Sequence, residues 1–334
     1  MSNRLRTYML GLCLFALVGM QAQTLSEDAR VSLLTCTPGD ELYARYGHTA
    51  LRICDPANDL DLVFNYGIFD FNTEHFYWKF VRGETWYELG ASLYGWFMYE
   101  YQQTQRPVYE QILNLTPAEK EALWEALVDN YRPENRKYLY NFVFDNCATR
   151  PYLMLTAVLC RVNAEAPYST YQGAEGLTYR TFIQHYTPRG SWADFGINLL
   201  FGPKADRPMH GEERLFLPEE LMFYISEATR ADGTPLVLSG EIHPFVIERV
   251  PWYRTWYFGM AVLFILLAGL SYYDRRRGRR TKGVDYALYA VYALVLLLVT
   301  FLTFFSCHPL VGFGWRLLII PLIHLCARLI YIVR

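Results

Sequence analysis

The sequence predicts an α+β domain followed by three transmembrane helices. Segments with strand-like alternation come first, between residues 31 and 66, and helical patterns follow them along the chain. Three apolar stretches, 256–273, 286–306 and 315–333, each have about the twenty residues that a bilayer-spanning helix needs. The chain therefore divides into an N-terminal domain of residues 23–255 and a membrane domain of residues 256–334.

Strands are predicted early in the N-terminal domain. β-Branched and apolar residues are enriched over Val31–Thr35, His48–Ile53 and Asp61–Tyr66, and Pro38-Gly39-Asp40 is a turn signal after the first of these segments. These segments supply the sheet of the predicted α+β fold.

Helices are predicted later in the domain. Thr116 and Glu119 form a capping box with Pro117 at the first helical position, which predicts a helix running to about Tyr131. A second helix is expected to start between Asp145 and Cys147. It would carry four apolar residues, Leu153, Leu155, Val158 and Leu159.

Composition and charge exclude several classes of protein. With 52% apolar, 17% aromatic and 19% charged residues, the chain is neither disordered nor built to coat nucleic acid. The net charge of −2 is divided unevenly, because 23–255 has 31 acidic and 20 basic residues whereas 256–334 has 2 acidic and 9 basic residues. An acidic domain is thus joined to a basic, strongly apolar tail, and no nucleic-acid partner is expected.

The N-terminus has the pattern of an export signal. Arg4 and Arg6 precede an apolar segment over residues 8–20, and small residues end it, so residues 1–22 are predicted to be a signal peptide cleaved after Ala22. An uncleaved N-terminal anchor is the alternative.

Charge also predicts the topology of the membrane domain. Residues 274–282 carry six positive charges in nine positions, so the positive-inside rule places the loop 274–284 in the cytoplasm. The N-terminal domain then lies outside the membrane, and four aromatic residues at its end would form an interfacial belt: Trp252, Tyr253, Trp256 and Tyr257.

Cysteine usage leaves one disulfide open. Cys36 and Cys54 lie on neighbouring predicted strands in an oxidising compartment and could form a disulfide bridge, although their spacing matches no established framework. Cys160 is expected in the core on an apolar helical face. No Cys or His pair has metal-ligand spacing, so neither a metal nor another cofactor is predicted.

Cys147 stands where an extended apolar segment meets a predicted helix start, a position that favours the nucleophilic thiolate form. Arg150, one turn further along, would add positive charge. His48 at the start of a strand can serve as the base, and Asn65 on the following strand can orient it. From these residues alone, a buried thiol with a core histidine remains the more favoured alternative.

Five segments of the N-terminal domain have a distinctive pattern when taken together and in order: 33–43, 46–52, 63–71, 145–150 and 192–198. Together they resemble the Lnb family of membrane-bound lipoprotein N-acyltransferases, and the segment 304–309 of the membrane tail is similar to the family as well. The resemblance implies a permuted papain-like fold of the NlpC type, in which the His strand precedes the Cys helix. It also implies Cys147 as the nucleophile and His48 as the base, in a chain located in the inner (cytoplasmic) membrane with its catalytic domain on the periplasmic side.

The reaction implied by the resemblance moves a fatty acyl chain from a phospholipid, through a Cys147 thioester, to the α-amino group of a diacylated lipoprotein. The Cys147 backbone N–H would face the developing oxyanion. Candidates for a second donor or for orienting roles are Tyr43, Arg45, Tyr46, Asn65, Asn146 and Arg150. Two alternatives remain at this point: an NlpC-like cell-wall cysteine peptidase that uses water as acceptor, and a non-catalytic envelope protein.

Overall fold

A computed structural model describes residues 24–41, 44–70, 73–163, 167–279, 281–312 and 314. The predicted signal peptide, Tyr43 and the predicted third membrane span over 315–333 lie outside these residues. The chain forms two compact units. Among the described residues, one unit lies within 24–72, 86–173 and 212–245, and the other lies within 73–85, 174–211 and 246–314.

The first unit is built on a seven-stranded antiparallel sheet. In chain order the described strands are β1 (Arg30–Cys36), β2 (His48–Asp55), β3 (Leu60–Ile68), β4 (Trp86–Leu93), β5 (Val108–Leu113), β6 (Lys137–Leu139), β7 (Tyr168–Ser169), β8 (Ala228–Thr229) and β9 (Val237–Ser239). The sheet order is β6-β4-β3-β2-β1-β5-β9, and β7 pairs separately with β8. The three predicted strands are confirmed as β1, β2 and β3, each somewhat longer than expected.

In chain order the described helices are α1 (Phe76–Arg82), α2 (Tyr94–Gln103), α3 (Pro117–Tyr131), α4 (Thr149–Asn163), α5 (Tyr179–His185), α6 (Trp192–Leu200), α7 (Pro218–Ser226), α8 (Trp256–Arg277) and α9 (Lys282–Phe305).

Helices of the first unit cover both faces of the sheet. Side chains of α3 and α4 share the main core with Leu51, Ile53 and Phe64 of the sheet. Phe97 and Tyr101 of α2 pack with Leu34, Ala50 and Val63 on the other face. The alternation along β2 thus buries both of its faces.

The predicted capping box of α3 is confirmed. The Thr116 backbone N–H donates to Glu119 Oε2 at 2.6 Å, and the Glu119 N–H donates to Thr116 Oγ1 at 3.3 Å. Two donors at the first turn are thereby satisfied, which fixes the start of the helix where the sequence predicts it.

The structure excludes the Cys36–Cys54 disulfide. Cys36 pairs with His48 and Cys54 pairs with Arg30, so the two cysteines lie at opposite ends of the β1–β2 ladder. Six residue positions correspond to about 20 Å of strand, far beyond the reach of a disulfide. Both are free thiols, as is Cys160, which is exposed rather than in the core because it faces away from the buried stripe of α4.

The second unit contains the two apolar helices α8 and α9, both long and apolar enough to cross a membrane. They cover the first two predicted spans. The predicted basic loop 274–284 is shorter than expected, because α8 continues through Arg277 and α9 already begins at Lys282. Part of the positive charge is therefore carried on the helix ends.

Candidate active site

The segment before α4 is fixed by the side chains of Asn141 and Asn146. Asn141 and Asp145 exchange backbone hydrogen bonds of 2.9 Å in each direction, and Asn141 Oδ1 accepts from the N–H groups of Val143 and Phe144. Buried Asn146 donates to the carbonyl oxygens of Phe142 and Phe216 at 2.7 and 2.8 Å. This network sets the position of the next residue, Cys147.

Asn146 also caps α4. Its Oδ1 accepts from the N–H groups of Ala148 and Thr149 at 2.8 and 2.9 Å, and the Asn146 N–H donates to Thr149 Oγ1. The helix therefore begins at Thr149, later than the predicted start between Asp145 and Cys147. The amide of Asn146, and not the thiol of Cys147, satisfies these two N–H groups.

His48 is the first residue of β2, directly after Gly47. Gly47 has a φ of 80°, and a Cβ there would lie 2.6 Å from the Cys36 carbonyl oxygen, so only glycine fits. The His48 Nε2 lies 2.6 Å from Asn65 Oδ1. This contact assigns the amide oxygen of Asn65, and not its nitrogen, to the side that faces His48. With an oxygen as its neighbour, Nε2 carries the hydrogen, and Nδ1 is left as the proton acceptor.

Gly67 on β3 is the point at which His48 and Cys147 converge. A Cβ built on this glycine would lie 3.6 Å from His48 Cε1 and 3.8 Å from Cys147 Cβ. The residue has a φ of 112° and sits at an irregularity in the pairing of β3 with β4. A Cβ there would be in ordinary van der Waals contact with both residues, so the positive φ, and not a lack of space, is what favours glycine at this position.

Burial keeps both groups neutral at rest. It raises the pKa of the Cys147 thiol to about 11, although the N–H groups of Thr49 and of Cys147 itself bond to the sulfur and oppose the rise. Burial also lowers the pKa of His48 to about 4, against the opposing effect of its bond to Asn65. The resting pair is therefore a thiol and a neutral imidazole, in contrast to the thiolate that the sequence favours.

Arg150 does not act as the expected free positive charge beside the sulfur. Its guanidinium forms a two-point ion pair with Asp145, with N–O distances of 2.5 and 2.7 Å. It also lies 3.7 Å above the ring of Tyr138. The neighbouring carboxylate offsets the charge of Arg150, so desolvation remains the largest influence on the pKa of Cys147.

The remaining predicted residues have other contacts. Tyr46 packs its ring against Phe142 with 5.2 Å between ring centroids. Arg45 donates to the Asp40 carbonyl oxygen at 3.1 Å. Tyr43 lies outside the described residues. Of the predicted nucleophile, base and orienting residue, the structure brings all three together: Cys147, His48 and Asn65.

Sequence reasoning missed the tyrosines around Cys147. Burial raises the pKa of Tyr87 to about 12, with a further contribution from Cys147, and the pKa values of Tyr138 and Tyr140 are raised by the same two causes. Tyr87 and Tyr140 stack at 4.2 Å, and the buried Tyr138 hydroxyl has no hydrogen-bond partner among the described residues. The sequence does hold a signal for these residues, because Tyr138 and Tyr140 are two positions apart shortly before Cys147 and side chains at that spacing in an extended segment point to the same side.

Comparisons with known protein families identify two parts of the chain. Residues 19–175 match the Lnb N-terminal periplasmic domain, and residues 254–334 match the Lnb transmembrane domain. Neither the comparison with curated proteins nor that with solved structures gave a significant match. Both matched domains come from one family and occur here in sequence order, so this is a membrane protein with a periplasmic domain. The chain belongs to the Lnb family.

Proposed function

We propose that this protein is a lipoprotein N-acyltransferase that uses Cys147 as its nucleophile and His48 as its base. The observation that carries the proposal is the convergence of Cys147 and His48 at Gly67, with His48 held by Asn65. A nucleophile, a base and a residue that orients the base are what covalent acyl transfer requires. The family membership and the two apolar helices support a lipid substrate.

In the first half-reaction the Cys147 thiol proton passes to His48 Nδ1 as the sulfur attacks the ester carbonyl of a phospholipid. The tetrahedral intermediate collapses, and the C–O bond to glycerol breaks. The leaving alkoxide takes the proton from His48 and departs as lysophospholipid. The acyl chain remains on Cys147 as a thioester.

In the second half-reaction the free α-amino group of a diacylated lipoprotein attacks the thioester. His48 accepts a proton from the attacking amine, the C–S bond breaks, and the proton returns to the Cys147 sulfur. An amide forms on the lipoprotein and the thiol is regenerated. Because both steps use the same histidine as proton carrier, one site serves donor and acceptor in turn.

Two backbone N–H groups assist the sulfur in this scheme. Those of Thr49 and Cys147 bond to Cys147 Sγ and lower its pKa, so they stabilise the thiolate as it departs in the second step. The Cys147 N–H also serves as a donor to the oxyanion once the sulfur is acylated.

The test is a transfer assay with purified protein in phospholipid nanodiscs and a synthetic diacylated lipopeptide. We expect the lipopeptide to gain the mass of one acyl chain on its α-amino group, and Cys147→Ala to abolish this gain. Cys160→Ala is the matched control, since this thiol is exposed and outside the site. Cleavage of peptidoglycan stem peptides without acyl transfer would instead identify a peptidase, and full activity of Cys147→Ala would overturn the proposal.

A further inference from the structure

Helix α6 is mostly apolar, yet none of its residues is fully buried: Trp192 is exposed and the other eight residues are half-buried. Seven of its nine residues, in the sequence WADFGINLL, are apolar. The two polar ones are satisfied within the protein: Asp194 accepts from Asn198 at 2.7 Å and from the Gly190 N–H at 3.0 Å, and Asn198 Oδ1 accepts from Gln184 of α5 at 2.9 Å. A helix that is hydrophobic all round is stable when buried in protein or surrounded by lipid.

One end of α6 is attached to the start of α8. The Trp256 N–H donates to the Gly190 carbonyl oxygen at 3.0 Å, and the ring of Phe195 packs 5.4 Å from that of Trp256. Trp192 lies against Gly259, where a Cβ would be only 2.8 Å from the indole. The N-terminal half of α6 is therefore held on the first turn of a membrane-spanning helix.

The other end of α6 is attached to the segment that follows α9. The Gly202 N–H donates to the Leu310 carbonyl oxygen at 3.0 Å, and the Gly312 N–H donates to that of Leu200 at 3.1 Å. Since α8 ends at Arg277 and α9 begins at Lys282, the two helices form a hairpin whose open end holds the start of α8 and the end of α9. Helix α6 thus lies across the open end of the hairpin, which is the periplasmic end because the periplasmic domain precedes α8.

Helix α1 is attached to the same end of the hairpin. The Cys307 N–H donates to the Arg82 carbonyl oxygen at 2.7 Å, and Trp78 packs 5.3 Å from Phe301. His308 Nε2 lies 3.1 Å from the carbonyl oxygens of both Phe80 and Val81 and caps the end of α1.

The outer side of α1 is aromatic and unburied. Tyr77, Trp78 and Phe80 are all exposed, and Lys79 and Arg82 lie on the same short helix. Aromatic and basic side chains together are typical of helices that lie in the membrane interface.

We propose that α1 and α6 form a lipid-contacting collar that lies in the plane of the outer leaflet of the membrane. The partner is the acyl-chain region of the phospholipids, with Lys79 toward the head groups, whereas Arg82 forms an ion pair with Glu84. Continuity with the apolar helices supports this choice of partner, because α6 packs on the start of α8 and α1 packs on the end of α9. No residue of α8 is buried by protein either. The lipid-facing surface would then include helices from far earlier in the sequence, since α1 begins 180 positions before α8.

Site-specific photocrosslinking tests the collar. Benzoylphenylalanine replaces Trp192 in one variant and Tyr77 in another, and the full-length protein is irradiated in phosphatidylethanolamine–phosphatidylglycerol vesicles. Tyr168 is the control position, because its exposed fraction of 58% is similar to the 51% of Trp192, but it lies on β7 in the first unit. Thermal unfolding of each variant confirms that it folds.

We expect adducts with the mass of phospholipid at positions 192 and 77 and none at position 168. Crosslinks from position 192 to a peptide of residues 315–334 would show that protein covers α6, and would overturn the proposal. So would equal lipid labelling at position 168, or the absence of any lipid adduct at 192 and 77 in variants that fold. None of these results depends on acyl transfer, so the collar and the proposed activity are tested separately.

Discussion

Asn65→Asp tests how the base is held, because it changes the charge beside His48 with little change of shape. Asn65 Oδ1 lies 2.6 Å from His48 Nε2, and burial holds the pKa of that histidine at about 4. A carboxylate at this position favours the imidazolium and should raise the His48 pKa by about 1 to 3 units. Since only the neutral imidazole accepts the thiol proton, the acidic limb of the pH–rate profile should move up from about pH 4 by the same amount.

The assay is the pH dependence of the rate of thioester formation on Cys147 under single-turnover conditions. Asn65→Ala serves as the second variant and should lower the rate by about 10- to 100-fold, less than removal of the base itself. Asn114→Asp adds the same charge away from the site and should leave the profile unchanged, because Asn114 bonds instead to Pro235. An acidic limb that stays in place in Asn65→Asp would refute the pairing of Asn65 with His48.

Three further predictions follow from the same geometry. Gly67→Ala should destabilise the fold by about 1 to 3 kcal/mol, because φ is 112° there, and should slow thioester formation, because the backbone beside His48 and Cys147 must shift to relieve the strain. Gly95→Ala in open space should do neither. Thermal unfolding and adduct formation measure both effects, and a Gly67→Ala variant with wild-type stability and rate contradicts the prediction. Arg150→Met should leave the pH dependence of Cys147 alkylation by iodoacetamide unchanged, since Arg150 is ion-paired elsewhere; a shift of that profile would show that its charge does act on the sulfur. The lowered pKa of His48 should make the free energy of unfolding fall as the pH drops from about 6.5 to about 4, by at most about 3 kcal/mol, because the unfolded chain binds the proton more readily. His48→Gln should remove this part of the pH dependence of the unfolding midpoint, and an unchanged dependence argues against a lowered pKa of His48.

The sequence predicts those elements whose signals are local. The capping box at Thr116 and the three early strands are fixed by neighbouring residues, and the structure confirms them. The predicted start of α4 is too early because the side chain of Asn146 accepts hydrogen bonds from the first N–H groups of the helix. The sequence does not reveal which polar residue takes this capping role. The register that separates Cys36 from Cys54 is likewise set by the pairing of whole strands.

For the site, residue types were easier to predict than protonation states. Cys147, His48 and Asn65 were selected as a nucleophile, a base and an orienting residue, and the structure places them together. The neutral thiol was not anticipated, because desolvation depends on side chains distant in sequence, such as Tyr87 on β4. The role of Gly67 is also hidden in the sequence, because its positive φ belongs to the irregular pairing of β3 with β4.

The most direct test of the proposed chemistry is the intact mass of the protein after incubation with phospholipid alone. Without an acceptor the first half-reaction should stop at the thioester, so the protein should gain one acyl chain that maps to Cys147 and is removed by hydroxylamine. Cys147→Ala and His48→Ala should show no such adduct. An adduct that persists in Cys147→Ala, or no adduct in a folded wild-type protein that still acylates the lipopeptide, would contradict a thioester at Cys147.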